Sequence, residues 1–168
     1  KTRATQRAVS PCVTTVMMMV RNTRALMESP PLIPLWVNKI ANREDTEADT
    51  DTDETGTSLD GRNRYVLRLD PPPPVNAFWS LSMYSAETFL FVESAINRYS
   101  LGDRTEGLVY NDDGSLEIYL QHQEPTDPKK RANWLPAPEG PFYLALRHYS
   151  PQAPILNGDW EPTPVAKR

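Results

Sequence analysis

Proline decides most of what this chain can become. Seventeen of its 168 residues are proline, and thirteen of those lie from Pro71 onward. An interior proline removes a backbone donor and clashes with the preceding turn, so long packed helices do not fit this spacing. Short strands joined by turns do fit. The length suits one domain of ordinary size, or a small domain with a tail. Mean hydropathy is −0.57, and no apolar run approaches the roughly 18 residues that a membrane-crossing helix needs. A single cysteine, Cys12, excludes an internal disulfide framework and a Cys-rich metal cluster.

Charge divides the chain into three parts. Residues 1–40 carry six bases and one acid, residues 41–60 one base and eight acids, and residues 61–168 eleven bases and thirteen acids; the net charge is −4. The stretch Asn42–Gly56 (NREDTEADTDTDETG) has Ala48 as its single apolar residue. Little in it offsets the entropy of ordering, so it is expected to be a solvated, flexible linker. The expected organisation is therefore a basic, proline-containing leader at 1–41, an acidic linker at 42–56 and a β domain at 57–168. In the leader, Lys1, Arg3 and Arg7 precede Cys12–Val20 (CVTTVMMMV), a weak imitation of a signal peptide with no clear small-residue cleavage site. Five bases and no acid in 1–27 would also suit an organelle transit segment, while a disordered or poorly packed leader is the simpler reading. A chain that begins at Lys1 reads as processed or partial. Pro30, Pro31 and Pro34 flank Leu32, Ile33, Leu35, Trp36 and Val37, a small apolar patch suited to pack as an extended arm on the body or on a partner.

The body alternates as strands do. Tyr65–Leu69 reads as a strand that ends where Pro71–Pro74 remove four donors in succession. Ala77–Tyr84 reads as another, with Phe78, Ser80, Ser82 and Tyr84 on one face and Trp79, Leu81 and Met83 on the other. Leu108–Tyr110 and Ser115–Gln121, separated by Asn111-Asp112-Asp113-Gly114, read as a β-hairpin. Phe142–Tyr149 sets Phe142, Leu144, Leu146 and His148 against Tyr143, Ala145, Arg147 and Tyr149. Asn157-Gly158 reads as a turn before Trp160. Ala86–Ala95 is the one short helix the pattern offers, although Phe89–Val92 serves equally as a strand. Short strands with turn signals between them, and no βαβ spacing, predict an all-β fold, an antiparallel sandwich or jelly roll.

The order of particular residues then points to a family. Leu59-Asp60-Gly61 and Tyr65, a proline stretch leading to Phe78-Trp79-Ser80, then Tyr84, follow one another along the chain. Asn97-Arg98-Tyr99-Ser100, Asp113-Gly114-Ser115-Leu116, Asn133-Trp134-Leu135-Pro136-Ala137-Pro138, Arg147 with Tyr149-Ser150-Pro151, and Trp160 complete the set. In these landmarks residues 57–168 resemble the bacterial family known as domain of unknown function 1214. The resemblance implies an antiparallel β-sandwich of jelly-roll type. It also implies a second uncharacterised β-domain ahead of this one in many relatives, and makes export compatible with the chain. The 56 residues that precede the match are too short and too polar to be that partner, so the chain reads as a C-terminal half. The family has no settled activity and supplies no mechanism.

Chemistry finds few footholds. His122 and His148 are the only histidines, fewer than the roughly three protein ligands of a catalytic zinc site, even with Asp112, Asp113 or Glu117 nearby in sequence. Asp49-Thr50-Asp51-Thr52-Asp53 imitates the start of a calcium loop, but Glu54 stands where glycine is needed and Asp60 where a bidentate Glu is usual. The expectation is no metal and no cofactor. No G-x-S-x-G elbow or phosphate loop is present, and a triad of Ser80 or Ser82 with His148 needs an accident of folding. Cys12 lacks a setting that would activate a thiol. Asp103, Glu106, Asp112, Asp113 and Glu117, with Trp79, Trp134 and Trp160 as platforms, leave a carbohydrate site open, though turn chemistry and core packing explain the same residues. Lys129-Lys130-Arg131 is too small a basic cluster for nucleic acid.

The most suggestive segment is Asn133–Pro138, whose prolines fix a rigid loop displaying an amide and an indole. The candidate ligand residues are Asn133, Trp134, Arg98, Arg147 and Trp79; the competing reading has Trp134 as a plug and Asn133 bound to loop backbone. Function is expected to be that of a binding or assembly module without catalysis of its own. Its expected partner is a second β-domain or another copy, and a carbohydrate- or small-anion-binding domain is the alternative.

Overall fold

The computed structural model of the chain describes residues 36–40, 45–94 and 96–168, and the backbone alone at 37–40. Readings of the leader before Trp36, including Cys12 and the signal-like stretch, lie outside the described residues. In chain order the elements are β1 (Val37–Ile40), β2 (Asp45–Thr50), β3 (Tyr65–Leu69), β4 (Val75–Ser85), β5 (Ser100–Gly102), β6 (Leu116–Gln121), α1 (Pro128–Ala132), β7 (Trp134–Pro136), β8 (Phe142–Pro151), α2 (Ala153–Asn157) and β9 (Ala166–Lys167). They form a five-stranded sheet, β1-β2-β8-β4-β5, and a four-stranded sheet, β7-β6-β3-β9. Every pairing is antiparallel except β6 with β7. The fold is all-β.

Alternation explains how the sheets close on each other. Trp79, Leu81 and Met83 of β4 and Leu144 and Leu146 of β8 share one core cluster with Tyr65, Leu67 and Leu69 of β3 and Leu116, Ile118 and Leu120 of β6. Side chains alternate across a strand, so each of these runs commits one face to the core. Trp36, from the patch expected to pack as an arm, is buried in the same cluster, and its indole N–H donates to the Thr163 carbonyl (3.0 Å).

Three expectations are corrected. The stretch 42–56, expected to be a flexible linker, contains β2, which pairs with β8 over six residues from Asp45↔Tyr149 to Thr50↔Leu144. Thr46, Ala48 and Thr50 are buried, so its inward face is made of small side chains that a search for large apolar residues overlooks. Asp45, Glu47 and Asp49 alternate onto the outer face, where they are half-buried. Second, the hairpin is not formed. The turn at Asn111–Gly114 exists, with Gly114 at φ 82° and its N–H on the Asn111 carbonyl (2.9 Å). Residues 108–110, however, are not a strand, and β6 pairs with β3 and β7 instead. The Asn133 amide takes both backbone groups of Val109 and so removes them from any ladder. Third, of the expected short helix Ala86–Ala95, the described residues 86–94 are neither helix nor regular strand. Ser85 Oγ accepts from the N–H groups of Glu87 and Thr88 (3.2 and 3.3 Å), and Phe91 returns as an isolated bridge to Tyr84. The two helices lie at α1 and α2 instead, each opening on a proline in its first turn, where the missing donor costs nothing.

Candidate functional site

The residues singled out from the sequence scatter into three places. Asn133 ends α1 and is 3% exposed; its Oδ1 accepts from Val109 N–H (2.9 Å) while its Nδ2 donates to the Val109 carbonyl (2.7 Å). Trp134 is 5% exposed and donates its indole N–H to the Gln121 carbonyl (2.8 Å). Arg98 Nη1 reaches the carbonyls of Arg131, Ala132 and Trp134 at 3.3, 3.2 and 2.9 Å. These three therefore come together, with the Asn133 amide, the Trp134 indole N–H and the Arg98 Nη1 all bound to backbone. Gly61 holds the far end of the same loop: its N–H bonds the Gly140 carbonyl (3.0 Å), and a Cβ there would run into the Pro138 carbonyl oxygen. Trp79 is a core residue on β4.

Arg147 is elsewhere, on the outer face of the five-stranded sheet. Its Nε lies 2.5 Å from Glu47 Oε2, its Nη1 donates to the Tyr84 hydroxyl (3.0 Å), and its guanidinium sits 5.6 Å from the centre of the Tyr84 ring. The serine triad fails on geometry. Ser80 and Ser82 pair opposite Arg147 and Ala145, on the face away from His148, which points into the core and is 2% exposed. Burial pushes the His148 imidazole down to about 4. Two of the carboxylates do meet, since Asp112 and Glu117 line one cleft of about 320 Å³ with Asp127, Lys130 and Asn133, while Asp103, Glu106 and Asp113 are not in its lining. Asp103 accepts from Trp79 N–H, Glu117 accepts from the Tyr119 hydroxyl (2.7 Å), and Asp113 binds Ser115 and Arg68. Hydrogen bonds from Ser115, then the Arg68 guanidinium, hold the Asp113 carboxyl down to about 2. Burial and the Glu117 carboxylate push the Tyr119 phenol up to about 12. Among the described residues no three His, Cys, Asp or Glu side chains gather as metal ligands would. No described helix is long and apolar enough to cross a membrane.

What the outer face does assemble is two aromatic clusters, set apart along the strands by the Ser80–Arg147 and Ser82–Ala145 pairs. Register sets Phe78 opposite Tyr149 and Tyr84 opposite Tyr143. Both pairs stack, with centroids 4.1 and 5.2 Å apart. Phe91 stacks on the other side of Tyr84 (4.7 Å), Tyr99 lies 5.9 Å from Phe91, and Arg104 covers Phe78 at 4.1 Å. Beyond the sheet the surface ends in bare apolar side chains: Phe89 is 70% exposed and Phe91 53%, with Leu90, Ile96 and Tyr99 also exposed. Beside them a cleft of about 520 Å³ lies over the outer face of β2 and β8, against Ala86 and Phe89, with Glu47, Asp49, Asp51, Tyr143 and Arg147 also in its lining. Sequence reasoning placed Phe78 and Tyr84 on one strand face, and Tyr143, Arg147 and Tyr149 on another. The missing step was that β4 and β8 are neighbours in register.

Comparison with known proteins agrees with the landmarks read from the sequence. The chain is similar to the VPA0106 protein of Vibrio parahaemolyticus, whose crystal structure superposes with a TM-score of 0.66 at 33% identity, covering 74% of this chain and 31% of that one. A putative uncharacterized protein from Burkholderia cenocepacia superposes with a TM-score of 0.43 at 16% identity, covering 81% of this chain and 34% of its own. The chain thus spans about a third of the length of either solved relative. No curated protein matches it. The family model for the protein of unknown function DUF1214 matches residues 44–153, from just before β2 through β8, and the chain belongs to that family.

Proposed function

We propose that this chain is a binding or assembly module that docks another folded domain on the outer face of its five-stranded sheet, with no catalysis of its own. The observation that carries the reading is the aromatic cluster of Tyr84, Tyr143 and Phe91, which ends in the exposed Phe89, Leu90 and Phe91; the Phe78–Tyr149 stack stands apart from it, beyond the Ser80–Arg147 and Ser82–Ala145 pairs. Contiguous apolar surface of this kind marks interaction sites, and aromatic residues with arginine are the types that carry interface energy. The length of the Vibrio relative argues for the occupant: about two thirds of that chain lies outside the match, enough for a second domain. The alternative is a small-anion or carbohydrate site near Asn133–Pro138. Its best support is a cleft of about 580 Å³ at the end of that loop with Arg62, Arg64, His122 and Glu139 in its lining. There, however, Arg62 already forks onto Asp60 and Arg64 reaches Gln123.

Hydrogen exchange tests the docking face in the full Vibrio protein and in its matching third expressed alone. The loop equivalent to Phe89–Phe91 should exchange at least roughly tenfold more slowly in the full protein. Equal exchange in two folded samples counts against the reading. In this chain, Phe89→Ser combined with Phe91→Ser should remove most binding of an apolar dye such as ANS. It should cost less than about 1 kcal/mol of stability, because both rings are largely in solvent.

A further inference from the structure

We propose that the outer face of the four-stranded sheet binds a small organic carboxylate between Arg64 and Arg168, with its carbon body against Val66 and the ring of Tyr119. The docking face belongs to the other sheet, and this inference does not depend on it. Register builds the place. β3 sets Val66 opposite Tyr119 of β6 on one side and opposite Ala166 of β9 on the other. Tyr65 and Leu67 turn into the core, as do Ile118 and Leu120, so alternation turns Val66 and Tyr119 outward. One residue past β9, the Arg168 N–H donates to the Arg64 carbonyl (2.9 Å), which sets these two arginines opposite each other on the ladder. Both line a cleft of about 340 Å³ together with Val66, Tyr119 and Lys130. Lys130 comes from α1, with its Nζ 5.5 Å from the centre of the Tyr119 ring.

Like charges placed directly opposite on neighbouring strands repel, and an anion between them removes the repulsion. Elsewhere the chain supplies that anion itself. Arg62 is paired with Asp60, Arg68 with Asp70 and Asp113, Arg131 with Glu124, and Arg147 with Glu47. Among the described residues no carboxylate pairs with Arg64, Arg168 or Lys130. The one side-chain hydrogen bond of Arg64 goes to the neutral Gln123 amide (3.4 Å). Glu117, the single acidic side chain in the lining, accepts instead from the Tyr119 hydroxyl (2.7 Å). The lining thus sets three cationic side chains against one carboxylate, and an anion is attracted.

The remaining lining selects the kind of anion. A guanidinium holds its N–H donors in a planar fork that matches the oxygens of a carboxylate. Beside the arginines lie an aliphatic side chain, Val66, and the Tyr119 ring. Burial and the Glu117 carboxylate push the Tyr119 phenol up to about 12, so it stays a neutral donor to Glu117 and brings no charge of its own. An inorganic anion would engage the arginines and leave this apolar surface uncovered, whereas a carbon skeleton covers it.

The test is an NMR titration of this chain with benzoate, with neutral benzamide and inorganic phosphate as controls. Benzoate should give saturable shifts at the Val66 and Arg168 amides and the Tyr119 ring, in about the millimolar range. Benzamide should give none, and phosphate should bind several-fold more weakly. Arg64→Gln and Arg168→Gln, both at exposed side chains, should each weaken benzoate binding about fivefold. Arg62→Gln, at an arginine already forked onto Asp60, should leave the affinity unchanged. No saturable shift, equal shifts from benzamide, or an affinity unaffected by both cleft variants overturns the proposal. A loss as large in Arg62→Gln overturns it as well, since the effect would then be general surface charge. Phosphate binding as tightly as benzoate overturns the assignment to a carboxylate with a carbon body.

Discussion

Trp134→Ala is expected to lower the unfolding free energy by about 3–5 kcal/mol, a large share of the roughly 5–15 kcal/mol that holds a domain of this size together. The indole is buried, its N–H is satisfied by the Gln121 carbonyl, and its strand β7 adds in parallel to the edge of β6. Truncation removes the packing and one of two donors to that carbonyl, which keeps the Ala137 N–H (3.0 Å). Asn133→Ala should cost about 2–3 kcal/mol through a different route. One side chain satisfies both the N–H and the C=O of the half-buried Val109, and alanine removes that partner from both and leaves a void at the buried position 133. Urea unfolding of the two variants checks this. If the loop instead displayed its amide and indole to a ligand, the variants would unfold within about 1 kcal/mol of the parent and lose binding. The structural cost predicted here separates a plug from a pocket.

That contrast also marks where sequence reasoning stops. Alternation in Phe142–Tyr149 and Ala77–Tyr84 is long and strongly apolar on one face, so both strands and their inner residues are legible without coordinates. β2 carries the same alternation in Thr46, Ala48 and Thr50, whose small side chains give too weak a signal beside seven acids in the Asn42–Gly56 stretch. The landmark residues are also legible as a set, and several have plain structural roles. Gly61 allows Pro138 to approach, Arg98 ties α1 to β7, and Trp160 donates to the Pro71 carbonyl. Fold-holding residues and ligand-holding residues look alike in a sequence, because both are polar or aromatic groups at special positions. The outer aromatic surface was hidden for another reason. Its rings come from β4, β8 and the 86–99 segment, and only non-local pairing brings them side by side.

Mild acid should destabilise the protein through His148. The imidazole sits on the inner face of β8, opposite Thr46 on one side and Trp79 on the other, with the edge of its ring contact to Trp160 at 5.4 Å. Nδ1 is 3.1 Å from the Thr46 hydroxyl, and Nε2 is buried with no hydrogen-bond partner. In the imidazolium both nitrogens carry a proton and the one on Nε2 has no acceptor; burial lowers the group from 6.5 to about 4. Above its unfolded value the group is neutral in both states and costs nothing. Below that value the unfolded chain takes up a proton that the folded chain refuses, so stability falls with pH until the folded group titrates as well. The loss should reach about 2 kcal/mol near pH 5 and about 3 kcal/mol near pH 4, as an order of magnitude. Asp60 and Asp113 act lower down. Their hydrogen bonds, from Arg62 and Ser115 respectively, hold them down to about 2, so their contribution persists above 3.8 and is lost only as pH falls further. The interval between about pH 6.5 and 5 lies above the range of these two carboxylates, and comparison with a His148 variant separates this histidine from His122, which both proteins keep. His148→Phe keeps a ring in the core and lacks a titrating group; whatever its cost at neutral pH, its stability should be nearly flat across that interval. Urea unfolding of parent and variant near pH 7 and pH 5 measures the difference, and equal slopes would show that His148 gains a proton inside the fold as readily as outside it.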